Sequence, residues 1–177
     1  MRGYRNKRAE RSGAKNVFYN FCLRVLLERV THTVARTSFN QFGELRRLRI
    51  VIAQTGGVRY EHTMEYVEKL RAQALTGTTY LSRRVIHPGV ASSWQFEPVS
   101  ARTTAGCQLA DAVVSSFYNA VNDKGAFPLL QAPARALLPV VPRQNGTRAE
   151  HGLTLLPWHL NIPAKFRSIF RYYGYRI

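Results

Sequence analysis

One helical segment carries the side chains whose types and spacing best suit metal chemistry. In residues 104–122, Gln108 and Asp111 stand three positions apart, so both project from the same face of a helix. A carboxylate and a carboxamide held together can bind a hard cation such as Mg²⁺ or Mn²⁺ through oxygen. Taken alone, the pattern favours a plainer interpretation, a surface helix that shows ordinary polar residues to water.

The same segment has an apolar side that should fix it to a core. At 100° per residue the apolar side chains fill one continuous arc, opposite the polar stripe that contains Gln108 and Asp111. We therefore predict that this arc is buried. Its members are Leu109, Ala110, Val113, Val114, Phe117 and Val121.

Two helices and a strand come earlier in the chain. Residues 16–36 have helical periodicity, with Glu28 outside the predicted inward face. Residues 45–54 predict a strand, and apolar side chains on both of its faces indicate an interior position in a sheet. Residues 60–75 predict a second helix, which Gly77 should end. The predicted inward face of the first helix consists of Phe18, Phe21, Cys22, Val25, Leu26, Val30 and Val34.

The remaining elements are short. Residues 78–81 and 93–99 predict strands, the second of them ended by Pro98. Beyond Asn122, closely spaced prolines exclude long helices. Residues 166–177 interleave Arg with Phe and Tyr, which can stack on bases and pair with phosphate, although packing against the body of the protein is the favoured interpretation. The order of elements is that of an α/β protein with a small mixed sheet and about three helices.

Charge is the strongest compositional feature. Lys and Arg number 26 against 10 Asp and Glu, a formal net charge of +16. Most of this charge is Arg, whose planar guanidinium suits phosphate, and such a field concentrates polyanions, of which nucleic acid is the commonest. The alternative is a basic composition without a dedicated site. The predicted phosphate contacts are Arg59, Arg83, Arg84 and Arg102.

Other residue types narrow the class of protein. Cys22 and Cys107 lie in apolar helical surroundings without metal-ligand spacing, which indicates buried thiols in a reducing compartment. The histidines lack zinc-site spacing. The best apolar run, residues 17–34, is interrupted by charges, and the basic N-terminus has no apolar stretch typical of a signal peptide. These features predict a cytoplasmic protein without a membrane partner.

The helix with Gln108 and Asp111 also resembles a known family. Residues 105–115, AGCQLADAVVS, are similar to the C-terminal signature of the bacterial domain-of-unknown-function family 3800, approximately G-x-Q-x-A-D on a helix. The matching residues are Gly106, Gln108, Ala110 and Asp111. Weaker similarities link residues 18–29 to the family's long helix, 50–60 to its strand, turn and helix, and 152–157 to a short closing strand of some members.

The resemblance implies an RNase H-like fold with a divalent-metal, nuclease-like site. In that family the helix Asp, here Asp111, faces an Asp-Glu-Ser type motif on an N-terminal strand, and two-metal hydrolysis needs several such carboxylates. This chain contains no such strand. Glu97 is the candidate second ligand, and Gln54 offers only an uncharged amide. We therefore predict an incomplete RNase H-like fold, either part of a longer protein or a degenerate member.

Three functional hypotheses follow. The protein is a remnant or fragment of a metal-dependent nuclease, a basic nucleic-acid-binding module without catalysis, or a structural remnant with neither role. The predicted organisation is a basic arm over residues 1–15, an α/β core over 16–125, and a Pro-rich, basic and aromatic tail over 126–177. A missing first strand would expose a sheet edge, which predicts self-association or pairing with an upstream segment.

Overall fold

A computed structural model describes most of the chain and divides it into two compact units. The described residues are 15–54, 58–78, 85–121, 128–143, 145–149, 151–153 and 162–177. The N-terminal unit runs to Thr104, and the C-terminal unit is Ala105–Ile177. This division differs from the predicted one, which placed the boundary between residues 125 and 126.

The described elements are mostly helical. The N-terminal unit contains α1 (Lys15–Phe42), β1 (Arg49–Ala53), α2 (Tyr60–Thr76), α3 (Pro88–Ala91), β2 (Gln95–Val99) and a 3-10 turn (Ala101–Thr103). The C-terminal unit contains α4 (Ala105–Val121), α5 (Pro128–Ala136), a 3-10 turn (Leu138–Val140) and α6 (Ala164–Tyr172). The predicted mixed α/β class is therefore confirmed. None of the described helices is both long enough and apolar enough to cross a membrane.

The sheet of the N-terminal unit is a parallel pair. β1 and β2 pair from Arg49 opposite Gln95 to Ala53 opposite Val99. β1 has β2 as its one partner within the described residues, so its predicted interior position is wrong there. Pro98 lies inside β2 rather than ending the strand. Of the predicted strand 78–81, residues 79–81 lie outside the described residues, and Thr78 is not in a strand.

Helix α2 follows its prediction closely. Val67 and Leu70 are buried, and Gly77 takes φ of 68° at the C-cap, where its N–H donates to the Gln73 carbonyl. The positive φ is accessible to glycine at little cost, so the helix ends where the sequence indicates. The buried core around α2 is formed by Leu23, Leu27, Val67, Leu70, Ile86, Ala91 and Trp94.

Helix α1 buries a different face from the predicted one. Leu23 and Leu27 enter the core, whereas Phe18 and Leu26 are at least half exposed. Glu28, which the periodicity places outside, is 8% exposed because its carboxylate accepts a hydrogen bond from Arg24 Nε at 3.0 Å. The ion pair offsets the charge of the Glu28 carboxylate, so this side of α1 can face the core. Cys22, predicted to be buried, is exposed on the other side.

The C-terminal unit has its own core. Ala120 of α4, Ala134 of α5, Ile169 of α6 and Tyr173 directly after it are buried together with Val141. Gln131 joins two of these helices, since its buried Oε1 accepts from Ser168 Oγ at 2.9 Å. The segment after Asn122 is thus organised by short helices, as the proline spacing allows.

Candidate nucleic-acid interface

Helix α4 places Gln108 and Asp111 on its exposed surface. The helix itself is confirmed, but burial of its apolar arc is wrong: Leu109 is 70% and Val114 65% exposed. The core of the C-terminal unit contacts α4 near its end, through Ala120 and Phe117. Leu109 and Val114 therefore lie outside that core, whereas Cys107 in the first turn is buried, as predicted. The periodicity of the sequence could not show which side chains of the arc are covered.

The two predicted metal ligands lie in different units. Asp111 belongs to the C-terminal unit, and Glu97 lies on β2 of the N-terminal unit. Glu97 is engaged by Arg49, whose Nε donates to its carboxylate at 3.0 Å. Within the described residues, no three His, Cys, Asp or Glu side chains come together as a metal ligand group. The described donors therefore do not fit the several oxygen ligands that Mg²⁺ or Mn²⁺ takes, and the metal site stays a prediction.

Two of the predicted phosphate contacts can be placed. Arg59 is exposed directly before α2, and its backbone is held by Asn16, whose amide donates to the Arg59 carbonyl at 2.9 Å and whose oxygen accepts from the Arg59 N–H at 3.1 Å. Arg102 is exposed in the 3-10 turn that ends the N-terminal unit. Arg83 and Arg84 lie outside the described residues.

A larger group of basic residues lies in the C-terminal unit, mostly within the segment 126–177 that the sequence predicts to be basic and aromatic. In the full sequence this unit has eight basic residues against three acids, Asp111, Asp123 and Glu150. Seven of the basic residues lie in the last 50 residues: Arg135, Arg143, Arg148, Lys165, Arg167, Arg171 and Arg176. The sequence analysis noted the Arg, Phe and Tyr of residues 166–177 as able to bind nucleic acid, but it did not name Arg135, Arg143 or Arg148 as phosphate contacts.

Two of these guanidinium groups are oriented by backbone carbonyls. Arg148 Nε donates to the Leu138 carbonyl at 2.8 Å, and Arg167 Nε donates to the Ile162 carbonyl at 3.0 Å. A carbonyl fixes the plane of the guanidinium and leaves its positive charge uncancelled. The guanidinium groups of Arg148 and Arg167 are therefore available to bind an anionic partner.

Two loops of the C-terminal unit enclose a cleft, here called the 145/176 cleft. It is an open space of about 660 Å³, and its lining residues are Asn145, Gly146, Thr147, Arg148, Tyr172, Tyr173, Gly174 and Arg176. Both loops are shaped by positive φ angles, at Asn145 (50°) and Gly146 (78°) on one side and at Gly174 (95°) on the other. Asn and Gly are the residues that adopt these angles most readily.

The second loop is a helix-capping motif. After α6, the Gly174 N–H donates to the Arg171 carbonyl at 2.9 Å and the Tyr175 N–H donates to the Phe170 carbonyl at 3.1 Å. These two bonds define a Schellman motif with Gly174 at the left-handed position. The motif reverses the chain and brings Arg176 back along the cleft beside Tyr172.

Aromatic packing anchors the wall of the cleft. Tyr173 is 1% exposed and stands edge-on to Phe117, with ring centroids 5.2 Å apart. Its neighbour Tyr172 is 44% exposed, and the Arg135 guanidinium lies 5.1 Å from its ring centroid. One tyrosine is thus buried as an anchor while the other offers an aromatic surface beside cationic groups.

Comparison of the chain with protein-family models, with curated proteins and with solved structures finds no match. The resemblance to family 3800 stays a prediction from the residues of the α4 signature and the weaker segments.

Proposed function

We propose that the protein is a nucleic-acid-binding module and that its C-terminal unit supplies the principal binding surface. The observation that carries the proposal is the composition of its last 50 residues, which contain seven Lys and Arg against one acid, Glu150. A cationic surface of this kind attracts the phosphate backbone by releasing its condensed counterions, without regard to base sequence.

The N-terminal unit provides a contrast. There, arginines are paired with acids: Arg24 with Glu28, Arg46 with Glu44, Arg49 with Glu97, and Arg71 with Glu68. Such pairs reduce the field that a polyanion meets. In the C-terminal unit, Arg148 and Arg167 bond to backbone carbonyls, which leave the guanidinium charge in place to attract a polyanion.

Salt titration tests the proposal directly. Fluorescence anisotropy with a labelled 20-nucleotide single strand should show affinity falling steeply with salt, by about 0.7 in log–log slope for each phosphate contacted. Absence of binding at low salt, or an affinity that salt does not change, would overturn it. Binding of polyglutamate of equal charge with equal affinity would also overturn it, because the surface would then show no preference for nucleic acid.

Two charge-matched variants locate the surface. Arg143→Ala removes an exposed cation from the C-terminal unit, and Arg46→Ala removes an equal charge that Glu44 already partners at 3.2 Å. We expect Arg143→Ala to lower the salt slope by roughly 0.7 and Arg46→Ala to leave it nearly unchanged. The reverse result would place the binding surface on the N-terminal unit.

The RNase H-like relationship is a second part of the proposal. It is supported by Gly106, Gln108 and Asp111, which stand at signature positions on a helix of the expected type. Catalysis by a metal-dependent nuclease would need further carboxylates beyond the described residues, supplied by an upstream acidic strand or by a second chain at an exposed sheet edge. Nucleic-acid binding requires neither an upstream acidic strand nor a second chain.

A further inference from the structure

We infer that the 145/176 cleft takes one nucleotide unit of a single strand, with its base stacked on Tyr172 and its phosphate between Arg148 and Arg176. The inference rests on the proposed function and sharpens it, since it names the form of nucleic acid and the residues that select it. It follows from the size, charge and aromatic content of this one cleft.

The cleft has the dimensions of a small-ligand site. Its volume of about 660 Å³ falls in the range typical of pockets that hold a small organic ligand. It is open, so a strand can enter and leave it without any movement of the α6 helix. Phosphate alone would leave most of this space unfilled, whereas a nucleotide carries a planar base as well.

The cationic side of the cleft is built from both loops. Arg148 comes from the first loop and Arg176 from the second, and both line the same space. The bond from Arg148 Nε to the Leu138 carbonyl holds that guanidinium in place, and Arg176 is exposed. Arginine pairs with phosphate through two parallel N–H groups, which gives direction as well as charge.

The aromatic side of the cleft is Tyr172. Its ring is 44% exposed, and Arg135 packs over it at 5.1 Å. A base stacked on this tyrosine would lie beside a ring already polarised by a cation, an arrangement that single-strand-binding surfaces use repeatedly. Every base has a π face, so the contact favours single strands over duplexes without requiring a particular sequence.

The geometry of the loops keeps the two sides together. A Cβ on Gly174 would stand 3.1 Å from Thr147 Oγ1, which shows how closely the second loop approaches the first. Tyr173, the buried residue between Tyr172 and Gly174, donates its hydroxyl hydrogen bond to the Ala134 carbonyl of α5. The packing of the two loops therefore fixes the positions of the aromatic and cationic groups relative to each other.

The test compares three probes with the whole chain: a deoxythymidine 10-mer, an abasic 10-mer with the same phosphates, and a 10-base-pair duplex. Wild type should bind the thymidine strand more tightly than the abasic strand. Tyr172→Leu should weaken the thymidine complex by about 10- to 100-fold, the range for loss of one stacked base, and change the other two little. Tyr172→Phe should retain wild-type affinity because the ring remains.

Arg176→Ala should weaken binding of both single strands more than Arg143→Ala, which removes an equal charge outside the cleft. If Tyr172→Leu weakens all three probes equally, or if Arg176→Ala matches Arg143→Ala, the inference is overturned while nucleic-acid binding stands. If wild type binds none of the probes, the proposed function fails with it. Circular dichroism confirms that each variant is folded before its affinity is compared.

Discussion

The hydroxyl of Tyr173 donates to the backbone carbonyl of Ala134, and so ties the end of α6 to α5. Burial raises the pKa of the Tyr173 phenol, with the nearby Tyr172 adding to the rise and Arg148 opposing it. Because the folded-state pKa lies above that of the unfolded chain, the neutral phenol stabilises the fold fully below about pH 10. That stabilisation is lost as pH rises through the folded-state pKa.

Tyr173→Phe removes this titration together with the hydrogen bond. At pH 7.5 we expect the variant to be less stable to urea by about 1 kcal/mol, the usual net value of such a bond. The gap between wild type and variant should narrow above pH 10, because only wild type then loses the contribution of the neutral phenol. Because both proteins contain the other tyrosines, the titration of those residues cancels in the comparison. A difference in the free energy of unfolding that does not change with pH up to 11 would contradict the assignment.

Gly174 should not tolerate a side chain. Its φ of 95° is strained for any L residue with a Cβ, and the added atom would press on Thr147. Gly174→Ala is expected to lower the free energy of unfolding by about 1–2 kcal/mol. Gly106→Ala is the matched control: it lies in α4 with open space around its Cβ, so the same change should be neutral or stabilising by up to ~1 kcal/mol. Chemical denaturation of both variants measures the contrast, and equal effects would refute it.

Residues of α4 and α6 should differ sharply in their contribution to stability. Leu109 is 70% exposed, whereas Ile169 is fully buried in the core of the C-terminal unit. Leu109→Ala should change the free energy of unfolding by less than about 0.5 kcal/mol, and Ile169→Ala should lower it by about 2–5 kcal/mol. Thermal or urea unfolding checks both, and a large loss from Leu109→Ala would contradict the exposure of Leu109.

Asp111 distinguishes the binding and nuclease hypotheses. Asp111→Asn removes one of the three acidic residues of the C-terminal unit, so the binding hypothesis expects slightly tighter binding of single strands at low salt. The size of the side chain is nearly unchanged, which makes the variant a test of charge. Mn²⁺-dependent cleavage by wild type that disappears in Asp111→Asn would instead establish a ligand role and restore the nuclease hypothesis.

At Gly77 and in the Pro-rich segment after Asn122, the local signals in the sequence predicted the structure. Gly77 ends α2 because a left-handed residue is needed there, and α5 and α6 are short, with nine residues each. These outcomes depend on backbone conformation within a few residues. A single sequence therefore contains what is needed to predict them.

The burial of helix faces was not predictable in the same way. Periodicity shows that α1 and α4 each have an apolar arc, but it does not show how much partner surface is available to cover it. In α1 the Arg24–Glu28 ion pair lowers the cost of burying the face opposite to the predicted one. Leu27 therefore enters the core while Phe18 remains exposed. The 145/176 cleft was missed for a related reason, since Arg148 and Arg176 meet only through the fold.

The parallel pairing of β1 and β2 sets an order for folding. Residue Arg49 must find Gln95 across an intervening stretch that contains α2 and α3, so closing this loop costs entropy before any strand hydrogen bond forms. The C-terminal unit closes loops of similar length, since Ser168 of α6 reaches back to Gln131 of α5. We expect these distant pairings, rather than formation of the helices themselves, to limit the rate at which each unit folds.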